Sequence, residues 1–179
     1  MPAQFPTLLF GTLILVLLVV IIRQRQRLTS LEFEARHDVL TSLPNRRALA
    51  HAWGHMHGTR ALILIDLVGF KAVNDSHGHI VGDALLQKVA ARLSAAVPAP
   101  GLMARWGGDE FVALVPAHMA EGLQAVIATS WAEPYDLSSR GGPSDVRIGG
   151  RIGLSIGETE LERALDTATH GLMEAKAAA

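Results

Sequence analysis

Several features that narrow a protein's class are absent from this 179-residue sequence. It contains no cysteine, which excludes a disulfide framework and a thiolate metal site and fits a reducing compartment. No sign of charge dominates, because 16 Lys and Arg stand against 17 Asp and Glu. The chain therefore lacks the overall basic footprint of a nucleic-acid-binding protein. It also lacks internal repeats, and its length suits one domain with a short appendage.

One long apolar run stands out near the start of the chain. Residues 5–22 carry no charge, and the following segment reads RQRQR at residues 23–27. At ~1.5 Å per residue, a helix of this length spans about 27 Å, close to the hydrocarbon thickness of a bilayer. The sequence predicts a transmembrane helix over 5–22 after a short tail, 1–4. The alternative is a buried core helix, which rarely lacks a polar face over such a length.

The basic cluster after this run predicts the orientation of the chain. By the positive-inside rule, residues 23–27 and everything after them lie in the cytoplasm, and the protein is a single-pass protein of the inner membrane. With so few residues ahead of the apolar run, we expect no extracellular sensor domain. Residues 23–37 are predicted to form a basic juxtamembrane segment and linker helix, and residues 38–179 a separate domain.

The periodicity of apolar residues predicts alternating helices and strands in that domain. Asn45 is the expected N-cap of the first helix. Helices are expected over 46–53, 81–97, 117–131 and 159–178, and strands over 60–66, 103–106, 111–115 and 146–156. The second and third strands form a hairpin. This order predicts an α/β (α+β) domain with a mixed sheet covered by helices.

Acidic residues stand where two of these predicted strands end. Asp66 closes the first strand, while Asp109 and Glu110 follow two glycines at the hairpin tip. Clustered carboxylates repel one another unless a cation lies between them, and Mg²⁺ takes one or two carboxylates together with substrate phosphates. Glycines allow a ligand to approach the backbone. The pattern fits a phosphoryl-transfer centre; an exposed polar turn is the alternative, and spacing alone does not decide between them.

A series of longer motifs adds to this hypothesis. They read DVLTSLPNRRAL at 38–49, LILIDLVGFKAVNDSHGHIVGDALLQKVAARL at 62–93, WGGDEF at 106–111, GRIGLSIG at 150–157 and AK at 175–176. Together they resemble the GGDEF domain, the diguanylate cyclase family, from about residue 35 to the end. Their number and order make the resemblance far more specific than one short match.

The resemblance implies a fold and an activity. The family has a palm-like, largely antiparallel sheet of about five strands with a central hairpin. Its members condense two GTP into cyclic di-GMP and pyrophosphate across a homodimer, using Mg²⁺ or Mn²⁺, with two ions per site. The expected role is bacterial signalling. Separately from the resemblance, we expect an unidentified regulatory protein as a further partner, and the charge balance predicts no nucleic-acid partner.

The resemblance also implies roles for individual residues. Catalysis is assigned to Asp109 and Glu110, and metal binding to Asp66, the Leu67 backbone carbonyl, Asp109 and Glu110. Guanine is assigned to Asn74 and Asp83. Phosphate and ribose are assigned to Gly69, Phe70, Lys71, Gly107, Gly108 and Lys176.

The sequence departs from the family pattern at several positions. Val68 stands where a second Asp is usual, and Thr169 and Met173 replace an Asp and a Tyr of the closing motif. Pro98 and Gly101 replace the Arg and Asp of the RxxD inhibitory site, so no such site is expected. Two alternatives therefore stay open: a degenerate domain that binds GTP as a membrane-tethered regulatory module, and a purely structural dimerisation domain.

Overall fold

The computed structural model describes residues 5–177, with side chains described at 11 and from 13 onward. The predicted tail 1–4 lies outside the described residues. The chain divides into two compact units, one ending at Arg36 and the other beginning at His37. The described part of the first unit is the helix α1, Phe5–Arg36, which continues through the basic cluster.

The predicted transmembrane helix over 5–22 is not supported. Among the helices of residues 5–177, none has the combination of length and apolar character needed to cross a bilayer. Part of the predicted span, residues 5–10 and 12, lies outside the described side chains.

The second unit contains the predicted helices and strands, with one further helix directly after the first strand. Its helices are α2 (Arg46–His55), α3 (Phe70–His77), α4 (His79–Ala96), α5 (Ala120–Ser130) and α6 (Leu161–Ala177), and its strands are β1 (Arg60–Val68), β2 (Leu102–Gly107), β3 (Glu110–Pro116) and β4 (Gly149–Ile156). Short 3₁₀ turns occupy Ala117–Met119 and Ser138–Arg140. The predicted cap is confirmed, because the Asn45 side chain accepts the backbone N–H groups of Arg47 and Ala48.

The sheet has the order β2-β3-β1-β4, and every neighbouring pair is antiparallel. The expectation of about five strands with mixed pairing is therefore corrected to four antiparallel strands within residues 5–177. The last strand also begins later than predicted. Val146 instead exchanges two backbone hydrogen bonds with Tyr135, at 2.8 and 3.0 Å, which ties it to the preceding loop.

Strand β1 lies inside the sheet and is covered on both faces. Ile63 and Ile65 pack into the core that contains α4 and α5, whereas Leu62 and Leu64 pack into a second core with α2 and α6. Burial on both faces explains why β1 is a continuous apolar run rather than an alternating one. The run ends at the half-buried Asp66, the first polar side chain after five buried ones.

Helix α6 lies directly on the backbone of β4. A Cβ atom at Gly153 would lie 1.8 Å from the carbonyl oxygen of Ala168, and a Cβ atom at Gly171 would lie 3.6 Å from the Gly153 Cα. Only hydrogen at Gly153 permits this approach. The close contact fixes how far α6 stands from the sheet.

We expect Gly153→Ala to destabilise the domain by about 1–3 kcal/mol, because the added methyl forces α6 away from β4. Gly122→Ala is the matched control. Gly122 is exposed within α5 with nothing near its missing Cβ, so alanine there should be neutral or stabilise by up to ~1 kcal/mol. Urea unfolding measures both variants. Equal stabilities would contradict the close seating of α6.

Candidate active site

The antiparallel pairing of β1 with β3 brings the predicted acids to one edge of the sheet. Asp66 and Glu110 are register partners, so their side chains leave the same face of adjacent strands. The Leu67 N–H donates to the Asp109 carbonyl at 3.3 Å, which ties the hairpin tip to the end of β1. The fold thus brings Asp66 close to Asp109 and Glu110, which follow it by 43 and 44 residues in the chain.

Nearby positive charge compensates Asp66 and Glu110 only in part. Burial raises the pKa of Asp66 and the Asp109 carboxylate raises it further, while Arg151 and Lys176 only partly oppose this. Burial also raises the pKa of Glu110, and both aspartates add to the effect against the weaker influence of Arg46. Since each carboxyl is harder to ionise than usual, a cation placed between them would be stabilised.

Asp66 and Glu110 suit a hard divalent ion that arrives with its substrate. Within residues 5–177 no group of three or more acidic, His or Cys side chains is arranged to hold a metal. Mg²⁺ needs fewer, because it usually takes one or two carboxylates and keeps water and phosphate oxygens as its other ligands. Two oxygen-donor side chains on adjacent strands fit that demand.

Both the backbone conformation and the surrounding atoms explain the two glycines at the hairpin tip. Gly107 has φ 153° and Gly108 has φ 55°, both in the region that favours glycine. A Cβ atom at Gly107 would lie 2.8 Å from Nη2 of Arg46, whose Nε donates to the Trp106 carbonyl. Nothing lies near the missing Cβ of Gly108, so that side of the tip is open.

A second arginine fastens the tip to the start of the domain. The Arg105 guanidinium donates to the Gly108 carbonyl at 2.7 and 3.1 Å and to the Asp38 carboxylate at 2.8 Å. Asp38 also accepts the N–H and hydroxyl of Thr41. Burial acts to raise the pKa of Asp38, but these hydrogen bonds outweigh it and leave that pKa lowered. The DVLT segment therefore holds the hairpin in place.

The predicted nucleotide-binding residues surround the turn after β1. Gly69, with φ 90°, precedes α3, whose first turn carries Phe70 and Lys71. Asn74 lies against α4 at Gly82, where a Cβ atom would meet its Oδ1 at 1.8 Å.

The Asn74 Oδ1 atom is buried and has no hydrogen-bond partner among the described residues. Asp83, exposed, follows Gly82 directly. Helices α3 and α4 thus bring the two predicted guanine-binding side chains to one corner of the domain.

A cleft of about 220 Å³ opens beside the acids, between the sheet and α6. Its lining is Leu64, Asp66, Glu110, Arg151, Thr169, Leu172, Met173 and Lys176. Two of the departures from the family pattern, Thr169 and Met173, are therefore cleft residues. Val68, the third, pairs with Gly149 at the end of β1, on the Asp66 face.

The position of the predicted inhibitory motif is a tight turn before β2. The Gly101 N–H donates to the Pro98 carbonyl at 2.9 Å, and a Cβ atom at Gly101 would crowd Val97 and Val115. The absence of an inhibitory site stays a prediction.

Sequence reasoning missed three arginines that organise this site. Arg46 and Arg105 hold the hairpin, and Arg151 lies in the cleft. The first two had a signal in the DVLTSLPNRRAL motif, which contains Arg46 itself and Asp38, the partner of Arg105. Arg151 gave none, because only its pairing across β1 places it beside Asp66.

Comparison with known proteins agrees with this geometry. Residues 35–179 match the family model described as "Diguanylate cyclase, GGDEF domain". The chain belongs to this family. The predicted GGDEF domain is thereby confirmed.

Relatives and solved structures give the same result. The chain is 41% identical over 132 residues to the bifunctional diguanylate cyclase/cyclic di-GMP phosphodiesterase MucR of Pseudomonas aeruginosa, covering 68% of this chain and 19% of MucR. It thus spans about a fifth of that relative's length. The isolated GGDEF domain of TpbB from the same organism superposes with a TM-score of 0.68 at 31% identity, covering 80% of this chain and 90% of that one.

A third match is a complex. The P. aeruginosa diguanylate cyclase SiaD, solved with its activator SiaC, gives a TM-score of 0.73 at 25% identity, covering 98% of this chain and 72% of SiaD.

Asp38→Asn should destabilise the domain by about 1–2 kcal/mol near neutral pH, because the hydrogen bonds to Arg105 and Thr41 lose their charged acceptor. A lowered pKa means that this stability is present above the ordinary value of 3.8 and is lost as the pH falls through the folded-state pKa. Denaturant unfolding at a series of pH values from neutral to below 3.8 measures this loss of stability. Asp145→Asn, at an exposed loop position, is the control. A difference between Asp38→Asn and the parent that persists unchanged at low pH would contradict the ion pair.

Glu110→Gln should raise the melting temperature of the metal-free protein by a few degrees. Its raised pKa means that the ionised side chain costs stability above that pKa, and the cost disappears as the pH falls and the carboxyl is protonated. The gain should therefore shrink towards acid pH. Scanning calorimetry in a chelating buffer tests this, with the exposed Glu133→Gln as the control. A lower melting temperature at neutral pH would show that the carboxylate is instead stabilised.

Proposed function

We propose that this chain is a diguanylate cyclase that condenses two GTP into cyclic di-GMP at the interface of a homodimer. The observation that supports it most is the register pairing of Asp66 with Glu110 at the edge of a cleft that also contains Lys176. One cleft thus offers carboxylates that suit a cation and a lysine ammonium group that suits phosphate, which matches the charges of a metal-bound triphosphate.

The proposed chemistry is a nucleotidyl transfer carried out twice. The 3′-hydroxyl oxygen of one GTP bonds to the α-phosphorus of the other, the bond from that phosphorus to the β-phosphate bridging oxygen breaks, and pyrophosphate leaves. The hydroxyl proton passes to the Asp109 carboxylate. The second transfer closes the ring. Each subunit contributes one GTP, so a single subunit is incomplete.

The residues divide the work of holding the substrate. Asp66 and Glu110, with the Leu67 carbonyl and Asp109, would hold a divalent ion, which when bound would neutralise charge on the α-phosphate. Lys176 and the α3 N-terminus, with Gly69 to Lys71, hold the phosphates. Asn74 and Asp83 read guanine, because a carboxylate can accept the N1–H and the N2 amine together, a pair that adenine does not offer. The open side of Gly108 admits the nucleotide.

The setting of the reaction is also a proposal. We propose a cytoplasmic location and bacterial cyclic di-GMP signalling. SiaD, solved with its activator SiaC, supports a regulatory protein as a partner of this chain.

The test is incubation of the purified, dimeric chain with GTP and Mg²⁺, with cyclic di-GMP measured by chromatography. Asp109→Asn should lower the rate by about a hundredfold or more, because it removes a metal ligand and the proton acceptor. Glu133→Gln, an exposed loop variant, should leave the rate unchanged. A folded dimer that forms no product would overturn the proposal.

A second function is favoured by Val68. It occupies the Asp66 face where the family has an acid, so the second candidate is a degenerate domain that binds GTP without turning it over. Val68→Asp separates the two: a large gain of product indicates a degenerate domain, whereas little change from a parent that already forms product favours the cyclase. Loss of Mg²⁺-dependent GTP binding in Asp83→Ala would exclude a purely structural role.

A further inference from the structure

Arg151 is the one cleft-lining residue with a strong charge and no assigned role. It lies on β4, directly opposite Asp66 in the register, and lines the cleft together with Glu110 and Lys176. Its Nη1 lies 3.8 Å from an Asp66 carboxylate oxygen, and about a quarter of its side chain is exposed. It is therefore at the site but accessible to a ligand.

The contact with Asp66 is too long to lock the guanidinium. A charge-assisted hydrogen bond measures ~2.7–2.9 Å, so 3.8 Å is an ion pair without a hydrogen bond. The structural arginines of the domain differ. Arg105 makes three hydrogen bonds of 2.7–3.1 Å, and Arg92 donates to three backbone carbonyls at 2.6–3.1 Å. Among the described residues, the guanidinium of Arg151 has no hydrogen-bond acceptor.

These unused donors have a geometric match. A guanidinium presents five N–H groups in a planar fork that suits two oxygens of one phosphate. The same cleft offers carboxylates for a cation and Lys176 for an anion, so a cation–polyphosphate complex could engage both kinds of charge at once. Asp66 would turn from Arg151 to the cation, and Arg151 would turn from Asp66 to a phosphate oxygen.

We propose that Arg151 is a phosphate-binding residue of this cleft, paired with Asp66 only until a divalent cation and a polyphosphate bind together. The inference rests on the proposed function for the identity of the nucleotide, and on the cleft geometry alone for the phosphate. It also predicts effects of opposite sign. Removing Arg151 takes away a contact to phosphate but also a positive charge that competes with the cation for Asp66.

The experiment compares the full chain with Arg151→Gln and Arg151→Lys by calorimetry. The probes, all with Mg²⁺, are inorganic tripolyphosphate, a non-hydrolysable GTP analogue and GMP. We expect Arg151→Gln to weaken tripolyphosphate and the GTP analogue by about tenfold, and GMP by much less. Arg151→Lys should recover part of the loss, because it restores charge without the fork. The Mg²⁺ concentration for half-maximal binding of the analogue should not rise.

The control is Arg163→Gln on α6, an exposed arginine whose 3.9 Å ion pair is with Glu160 rather than a cleft residue. It should bind all three probes as the parent does.

Unchanged tripolyphosphate and analogue binding in Arg151→Gln overturns the inference. So does an equal loss for all probes with a lowered melting temperature, which would mark a structural role. Failure of the parent to bind any probe overturns both proposals. Binding of tripolyphosphate that depends on Arg151, without preference for the guanine analogue, supports the inference and overturns the proposed nucleotide.

Discussion

The register between β1 and β3 is the constraint on which the rest of the site depends. It sets Asp66 opposite Glu110 and brings the hairpin tip within hydrogen-bond reach of Leu67. A shift of one residue would turn every side chain of β1 to the other face, exchanging its two apolar cores and taking Asp66 out of the cleft. The buried residues on both faces of β1 therefore hold the acids in position, although none of them touches a ligand.

The same register imposes a cost on the fold. Burial raises the pKa of both Asp66 and Glu110, and repulsion from neighbouring carboxylates, Asp109 among them, raises each pKa further. The cost is local, and arginines surround it. Arg46 and Arg105 donate hydrogen bonds to backbone carbonyls of the hairpin, so they stabilise the tip, and Arg46 opposes the raised pKa of Glu110 only in part. The charge is left available to an incoming cation.

Local chemistry made most of this domain predictable. The Asn45 cap, the apolar run of β1 and the hairpin all follow from short-range patterns. The remainder depends on partners far apart in the chain. Nothing near Arg151 in the sequence shows that it faces Asp66, and Val146 pairs with Tyr135 instead of extending β4.

The apolar run before the domain is a case in which a local pattern makes a prediction that the structure does not support. Its composition predicts a transmembrane helix. Composition, however, indicates only which environment suits a segment and not which residues the segment contacts. No helix within residues 5–177 meets the requirement for crossing a bilayer.

The contact between Gly153 and the backbone of α6 separates two properties of the cleft. Because main chain meets main chain there, the width of the cleft does not depend on the side chains that α6 presents to it. Thr169 and Met173 can therefore differ from the family pattern while Lys176 keeps its distance from the sheet. The side chains that α6 presents to the cleft can therefore change in polarity while the distance between α6 and the sheet stays the same.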